Sequence, residues 1–300
     1  MDLKFIDLLT AVVTGAMMLS LGLSITHGEI FEKFKKPKTL LVPLLFQMAA
    51  LPIIAFLICS LTDISPEFKI GIIILSSTPG GTTAGFISFL LKADVALSIS
   101  LTTINSFLSL LTIPLIVSFG FTLFMNSTAS VELPIIHTIL QIVLIVIIPT
   151  CIGVAIRHKY LIFATNTEKI IKVFLLILLP ALFFIKFFAG EQYGGVNIQK
   201  ADYQLLFPIT IIFNLICIIL GYLFVLLNNL PHKTRLTTSI ETSVHNTPLA
   251  LLIAGTILNN QEMVKPIMIY TIFSFWTPII FGMITNKVLN KMQSPKPEVT

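Results

Sequence analysis

Two short stretches decide the reading: SSTPGGTTAG at residues 76–85 and IETSVHNTPLA at residues 240–250. Each is a polar, proline-bearing interruption inside a long apolar block. Pro79 has no N–H and clashes with the carbonyl four residues back, so the Leu75 carbonyl loses its helical partner. Gly80 and Gly81 follow and make an unwound stretch easy to adopt. Pro248 likewise frees the Val244 carbonyl and biases Thr247 away from helix. In hydrocarbon each orphaned backbone group is costly unless protein, water or an ion meets it. Both breaks are lined with polar side chains.

The surroundings of these stretches are those of a membrane protein. The 300 residues are 55% hydrophobic and only 11% charged, with a mean hydropathy of +0.97. Ordinary soluble domains carry about 25% charged residues, so this chain has too little polar surface to cover itself in water. Apolar blocks bounded by charge, Pro or Gly predict nine transmembrane helices at about 5–26, 40–60, 69–91, 95–119, 135–156, 171–189, 204–227, 237–258 and 266–286. No gap is long enough for a second domain, so residues 1–300 read as a single integral membrane unit. Phe5 to Ile25 is too long for a signal h-region and lacks a cleavage site, so it reads as a span.

Charge sets the expected orientation. With an external N-terminus, the loops on the cytoplasmic side collect fourteen Lys and Arg (among them Lys33, Lys35, Lys36, Lys38, Arg157, Lys159, Lys233 and Arg235), against Lys4, Lys69, Lys200 and Lys265 outside. The positive-inside rule then predicts a multi-pass protein of the cell (plasma or inner) membrane, N-terminus outside and C-terminus cytoplasmic. The net charge of +5 is spread over these loops and does not indicate nucleic acid. Cys59, Cys151 and Cys217 are isolated and read as structural thiols, not metal or redox groups. No H-E-x-x-H, G-x-S-x-G or paired acidic motif suggests an enzyme.

The positions of the two breaks carry the functional argument. In spans 1–4 and in spans 6–9 the interrupted helix is the third, and the two sets start from opposite sides of the membrane. Inverted repeats with discontinuous helices that build a midplane site are the signature of secondary transporters. Glu241 is the acidic residue deepest within a predicted span, and a carboxylate there needs a cation, a proton or water. Hard cations prefer oxygen. Glu241, the freed Val244 carbonyl, Ser98 and Thr102 are suitable donors, the last two being four apart on one helix face. N-termini of the half-helices favour an anion.

Three segments resemble the bile acid:sodium symporter family: GLSITHGEIFEKFKKPKTLLVPLLFQMAALP (22–52), PGGTTAGFISFLLKADVALSISLTT (79–103) and ETSVHNTPLA (241–250). The chain looks like a nine-span form of the bacterial apical sodium-dependent bile acid transporter-like members. The resemblance implies two sodium ions beside the crossing of the broken helices. One would be held by Glu241, Ser98, Thr102 and two side chains after the PGGT turn. The other would be held by Gln47, Glu241, the carbonyls of Thr242 and Val244, and the side chain at 245. It also implies that Thr82 and Asn246 line the substrate cavity, with Thr83 beside them. Asn246 and Thr82 serve equally well as caps of the half-helices that follow them.

Two departures stand out. Where the family has Ser-Asn, this chain has Ala84 and Gly85, and where the family has Gln it has His245, an imidazole that titrates near physiological pH. Glu241 and His245 form a proton-coupled pair, or Thr83 or the backbone replaces the lost ligands and one sodium remains, or His245 is simply a satisfied polar residue. The expectation is a secondary active transporter of organic anions, bile-acid-like or small carboxylate or sulfonate, working by alternating access, with Na+ as coupling ion and no other cofactor. An ion-independent anion uniporter or exporter and a membrane-embedded ligand sensor are the alternatives. Lys186 lies near the outer end of the sixth span, where it either snorkels to the interface or meets an incoming anion. Substrate identity and oligomeric state are not encoded in any motif.

Overall fold

The computed structural model describes residues 5–25, 35–78, 80–125, 140–189, 193 and 195–293. Among them there are helices and connecting turns, and no strand. In chain order the helices are α1 (Phe5–Ser24), α2 (Pro37–Leu61), α3 (Pro66–Ser77), α4 (Thr82–Leu90), α5 (Val95–Phe124), α6 (Leu140–Lys159), α7 (Leu161–Phe188), α8 (Lys200–Leu227), α9 (His232–Ser243), α10 (residues 247–257), α11 (Gln261–Ser274) and α12 (Trp276–Gln293). Six of these units are long and apolar enough to cross a bilayer, α11 and α12 counting as one, and the bent α5 makes seven. The segments at 66–90 and 232–257 fall outside that test because each is divided.

Local chemistry explains the boundaries. The Ser65 hydroxyl accepts the Phe68 amide ahead of Pro66, Asp94 Oδ1 accepts Leu97 N, Asn246 Oδ1 accepts Leu249 N ahead of Pro248, and Asn260 Oδ1 accepts Met263 N. Each cap satisfies a donor that a helix start leaves open. The 60° bend in α5 falls where Pro114 denies an N–H to the Leu110 carbonyl. Single π turns at Phe46–Ala50 and Val143–Ile147 precede Pro52 and Pro149, and a third covers Leu252–Ile257. The helices outrun their apolar blocks: α7 starts at Leu161, ten residues before the expected 171, because LIFATNTEK continues the same helix. In that added stretch Glu168 accepts from Lys172 and lies 3.7 Å from Arg157.

Two bundles can be traced. In one, α1 packs along α6 and α7. Gly22 and Gly153 bring α1 and α6 together so closely that a Cβ on Gly153 would lie 2.5 Å from the Leu19 carbonyl oxygen, the small-residue contact that lets membrane helices approach. In the other, α3 packs on α5 and α11, and α8 packs on α9 and α11, with α4 against α5 and α9. The seam between the bundles is formed by α1 against α10 and α5. Rows of exposed apolar side chains such as Ile170, Phe174, Ile177, Phe184 and Phe188 on α7 face outward, as lipid-facing surface must.

Lys186 corrects the expectation of a snorkelling side chain. It is fully buried, with its ammonium 3.3 Å from Asp7 Oδ1 in the first turn of α1. Asp7 is itself buried, and it is a partner of the lysine inside the protein. Cys59 and Cys217 are buried free thiols and Cys151 is exposed.

The Gly22–Gly153 contact makes a direct prediction. Gly153→Ala forces a Cβ into backbone of α1 and lowers the stability of the purified protein by about 1–3 kcal/mol, read as a lower melting temperature in detergent. Gly15→Ala, whose nearest neighbour is the Ile145 carbonyl oxygen at 3.8 Å, leaves it unchanged.

Candidate ion and substrate site

The two interruptions meet. The Asn246 amide, which in a continuous helix would donate to the Thr242 carbonyl, instead donates to the Thr78 carbonyl at 2.8 Å. A Cβ on Gly81 would touch Asn246 Cα at 3.8 Å. The break after α3 and the break after α9 therefore lie against each other, joined by one main-chain hydrogen bond. Pro79 lies outside the described residues, and of Thr82 only the backbone is described. Gly80 has φ +60°, a conformation that glycine adopts without penalty.

The freed carbonyls divide into two sets. The Leu75 carbonyl, expected to be orphaned, accepts both the Thr78 amide at 3.2 Å and its hydroxyl at 2.9 Å. The Ser243 carbonyl accepts Asn214 Nδ2 at 3.1 Å and the Tyr270 hydroxyl at 2.6 Å. The carbonyls of Thr242 and Val244 are different: Asn246 N–H is spent on Thr78, and Pro248 has no N–H to give. Among the described residues neither of these acceptors has a hydrogen-bond donor, which leaves them at the break for another donor or a cation.

Glu241, fully buried, is the centre of the side-chain cluster. The Ser98 hydroxyl donates to its Oε1, the Thr102 hydroxyl lies 3.3 and 3.2 Å from Oε1 and Oε2, and Gln47 Nε2 reaches Oε2 over a long 3.5 Å. Asn105 Nδ2 in turn donates to Gln47 Oε1 at 2.7 Å. A Cβ on Gly80 would collide with Glu241 Oε2 and stand 3.1 Å from Thr102 Oγ1. The turn thus needs glycine both for its φ and for room for the carboxylate. Neutral groups from α2 and α5 gather round one acid, with no cationic side chain among its hydrogen-bond partners in the described residues. The oxygens present (a carboxylate, two hydroxyls and two freed main-chain carbonyls) are of the kind a hard monovalent cation takes, while Gln47 turns its Nε2 to the carboxylate and its Oε1 to Asn105.

The remaining site residues are distributed unevenly. Thr242 turns its hydroxyl to the Cys217 carbonyl at 3.0 Å, so its side chain anchors α9 to α8 and only its carbonyl faces the break. Asn246 Oδ1 caps α10. Thr83 is half-buried on α4. Ala84 packs with Ile87, Leu236, Ile240 and Val244 in an apolar cluster, so position 84 does not address Glu241. Position 85 does face the cluster: a Cβ on Gly85 would see Ser98 Oγ at 3.8 Å. His245 is buried with its ring stacked on Phe213 at 5.7 Å and tilted against Tyr270 at 5.3 Å. Among the described residues neither ring nitrogen has a hydrogen-bond partner, and none joins it to Glu241.

Asn105 and the Asn214–Tyr270 pair are site residues that the sequence reading passes over. The signal for them lies in spacing. Ser98, Thr102, Asn105 and Ser109 recur at helical intervals along α5 and are all buried, as are Thr210, Asn214, Cys217 and Gly221 along α8. A buried polar stripe on an apolar helix marks the face that supports a site.

The chain has relatives among known proteins. Residues 11–195 match the Sodium Bile acid symporter family. The chain is 25% identical, over 99% of its length and 78% of the relative's, to a sodium-dependent organic anion transporter of Bos taurus. It is 30% identical to the P3 protein of Mus musculus over 77% of this chain, spanning 48%, about half, of that protein. Over 87% of its length and 77% of the relative's it is 25% identical to YocS of Bacillus subtilis (strain 168), described as an uncharacterized sodium-dependent transporter.

The collision at Gly80 sets a second prediction. Gly80→Ala costs about 1–2 kcal/mol from the left-handed backbone alone, with further loss from displacing Glu241, and the melting temperature falls. Gly81→Ala, which meets nothing closer than 3.8 Å, changes stability by less than about 0.5 kcal/mol. Equal effects of the two would contradict the crossing as described.

Proposed function

The chain belongs to the sodium bile acid symporter family, whose members are transporters and not enzymes, and on that premise we propose that it is a sodium-coupled carrier of organic anions. The observation that supports this most is the convergence on Glu241 of Ser98, Thr102 and Gln47, beside two main-chain carbonyls that have no helical N–H. Sodium, as cargo, occupies this oxygen set: Glu241, Ser98, Thr102 and Gln47 from the side chains, and the carbonyls of Thr242 and Val244. Ion binding neutralises the buried carboxylate and replaces the long Gln47 contact with direct ligation. The starts of α4 and α10, with Thr82, Thr83 and Asn246, present amides and polar groups to the anionic end of the substrate. The nine-span inverted repeat, with the segments at 66–90 and 232–257 as its interrupted third members, puts the site near mid-membrane. The external N-terminus and cytoplasmic C-terminus in the cell membrane follow from the loop charges. Movement of the α1–α6–α7 bundle against the other opens the site alternately to each side.

Coupling rests on the ion and the anion each favouring the same arrangement of the two breaks. The Thr78–Asn246 hydrogen bond joins the half-helix start that meets the anion to the stretch of chain that meets sodium, so order imposed by one ligand lowers the cost of binding the other. Proton coupling through a Glu241–His245 pair is the second reading, favoured by the two partnerless ring nitrogens of His245 and weakened by the lack of a hydrogen bond between the pair. It predicts uptake driven by a pH gradient without sodium.

The test is sodium titration by calorimetry on purified protein. Wild-type protein binds sodium, and Glu241→Ala weakens binding at least tenfold, about 1.4 kcal/mol. Equal binding by both proteins contradicts the assignment of Glu241. Counterflow of a labelled bile acid in liposomes, present in wild type and absent without sodium, separates a carrier from a sensor, because a sensor cannot exchange solute.

A further inference from the structure

The seam between the two bundles contains a charge that the ion site does not use. Lys186, near the end of α7, has no solvent exposure, and Asp7 of α1 accepts from it at 3.3 Å with its own side chain 8% exposed. Both residues belong to the α1–α6–α7 bundle. The ammonium is covered from the other bundle: a Cβ on Gly255 would stand 3.4 Å from Lys186 Nζ and 3.9 Å from its Cε. Gly255 lies in the π turn that ends α10, the same half-helix that begins at the Thr78–Asn246 contact. The same Cβ would stand 3.3 Å from Val264 Cγ2, so a side chain at 255 would crowd both Val264 and the ammonium. The α1 contacts with α10 and its π turn form the rest of this stretch of seam.

We propose that the Lys186–Asp7 pair is an outer latch of the carrier, sealed by the Gly255 turn when the outer side is closed and hydrated when α10 withdraws. The inference rests on the alternating-access reading above. A buried ion pair exchanges desolvation cost against attraction that grows as water leaves. With the seam closed, both effects are at their largest. When the α10 turn moves away, water reaches the ammonium and both shrink. The pair therefore costs little in the open state, while in the closed state it requires the bundles to seat in one register. Glycine at 255 lets the main chain of α10 seat directly on the lysine. Because α10 starts at the break that follows Glu241 and ends in the turn that covers Lys186, a movement of α10 is felt at both places.

The test uses Lys186→Cys in full-length protein reconstituted in liposomes, with Cys59, Cys151 and Cys217 replaced by Ala. The probe is externally added 2-aminoethyl methanethiosulfonate. Its reaction with the introduced thiolate releases methanesulfinate and leaves an ammonium on a disulfide-linked stem. The expected result is a modification rate that differs at least tenfold between sodium and potassium buffers. Equal rates in the two buffers, including no reaction in either, overturn the latch. Should Lys186→Cys not fold, Asp7→Cys places the thiol on the other member of the pair and must show the same difference. Sodium calorimetry on the same preparations separates the failures. Sodium binding with invariant reactivity sinks only the latch, whereas absence of sodium binding in the wild-type protein sinks the carrier reading itself.

Discussion

One main-chain hydrogen bond, from the Asn246 amide to the Thr78 carbonyl, organises everything around it. Helices normally close their hydrogen bonds within themselves, and inside a bilayer a freed group must find its partner within the protein or in trapped water. Here a donor is taken out of one helix and given to the carbonyl at the end of another. The exchange fixes the two breaks side by side and leaves the Thr242 carbonyl open at the junction, where Pro248 leaves that of Val244 open as well. Around them the rest of the bundle is support. The Asn214–Tyr270 pair holds the Ser243 carbonyl, Thr242 pins α9 to α8, and the polar stripe of α5 carries Ser98, Thr102 and Asn105 to Glu241 and Gln47. Each of these contacts satisfies a polar group that lipid would leave bare.

Legibility in the sequence follows the strength of the local chemistry. Pro79–Gly80–Gly81 and Pro248 stand among clustered polar residues, unlike Pro180, Pro208 and Pro266 within continuous helices, so two interruptions are readable from the residues. Glu241 is readable because a carboxylate amid apolar blocks has few permissible environments. The destination of a freed carbonyl is not, because it depends on partners distant in the chain. Leu75 reads as orphaned and is served by Thr78 three residues on, while Ser243 is served from α8 and α11. Lys186 escapes for the same reason: its partner Asp7 lies 179 residues away, and hydropathy at the end of a span says nothing of what packs beside it. Helix ends are underestimated wherever polar turns continue a helix beyond its apolar block, most of all at Leu161.

The departures at Ala84, Gly85 and His245 take on different weights once placed. Ala84 faces an apolar cluster and does not address the site, so only position 85 lacks an oxygen toward Ser98. His245 lies between Phe213 and Tyr270, where its ring is accommodated by shape. The oxygens gathered at the junction are one carboxylate and two hydroxyls, with main-chain carbonyls at the break, and they fit the proposed carrier with one ion position in place of two.

The most direct measurement is anomalous scattering from crystals soaked in thallium(I), a monovalent cation that stands in for sodium and reveals its own position. The account predicts a single strong peak within ligating distance of Glu241, Ser98 and Thr102 at the junction of the two breaks, which disappears in Glu241→Ala. Continuous density through residues 76–85 and 240–250 as unbroken, separate helices, or a peak remote from Glu241, would contradict it.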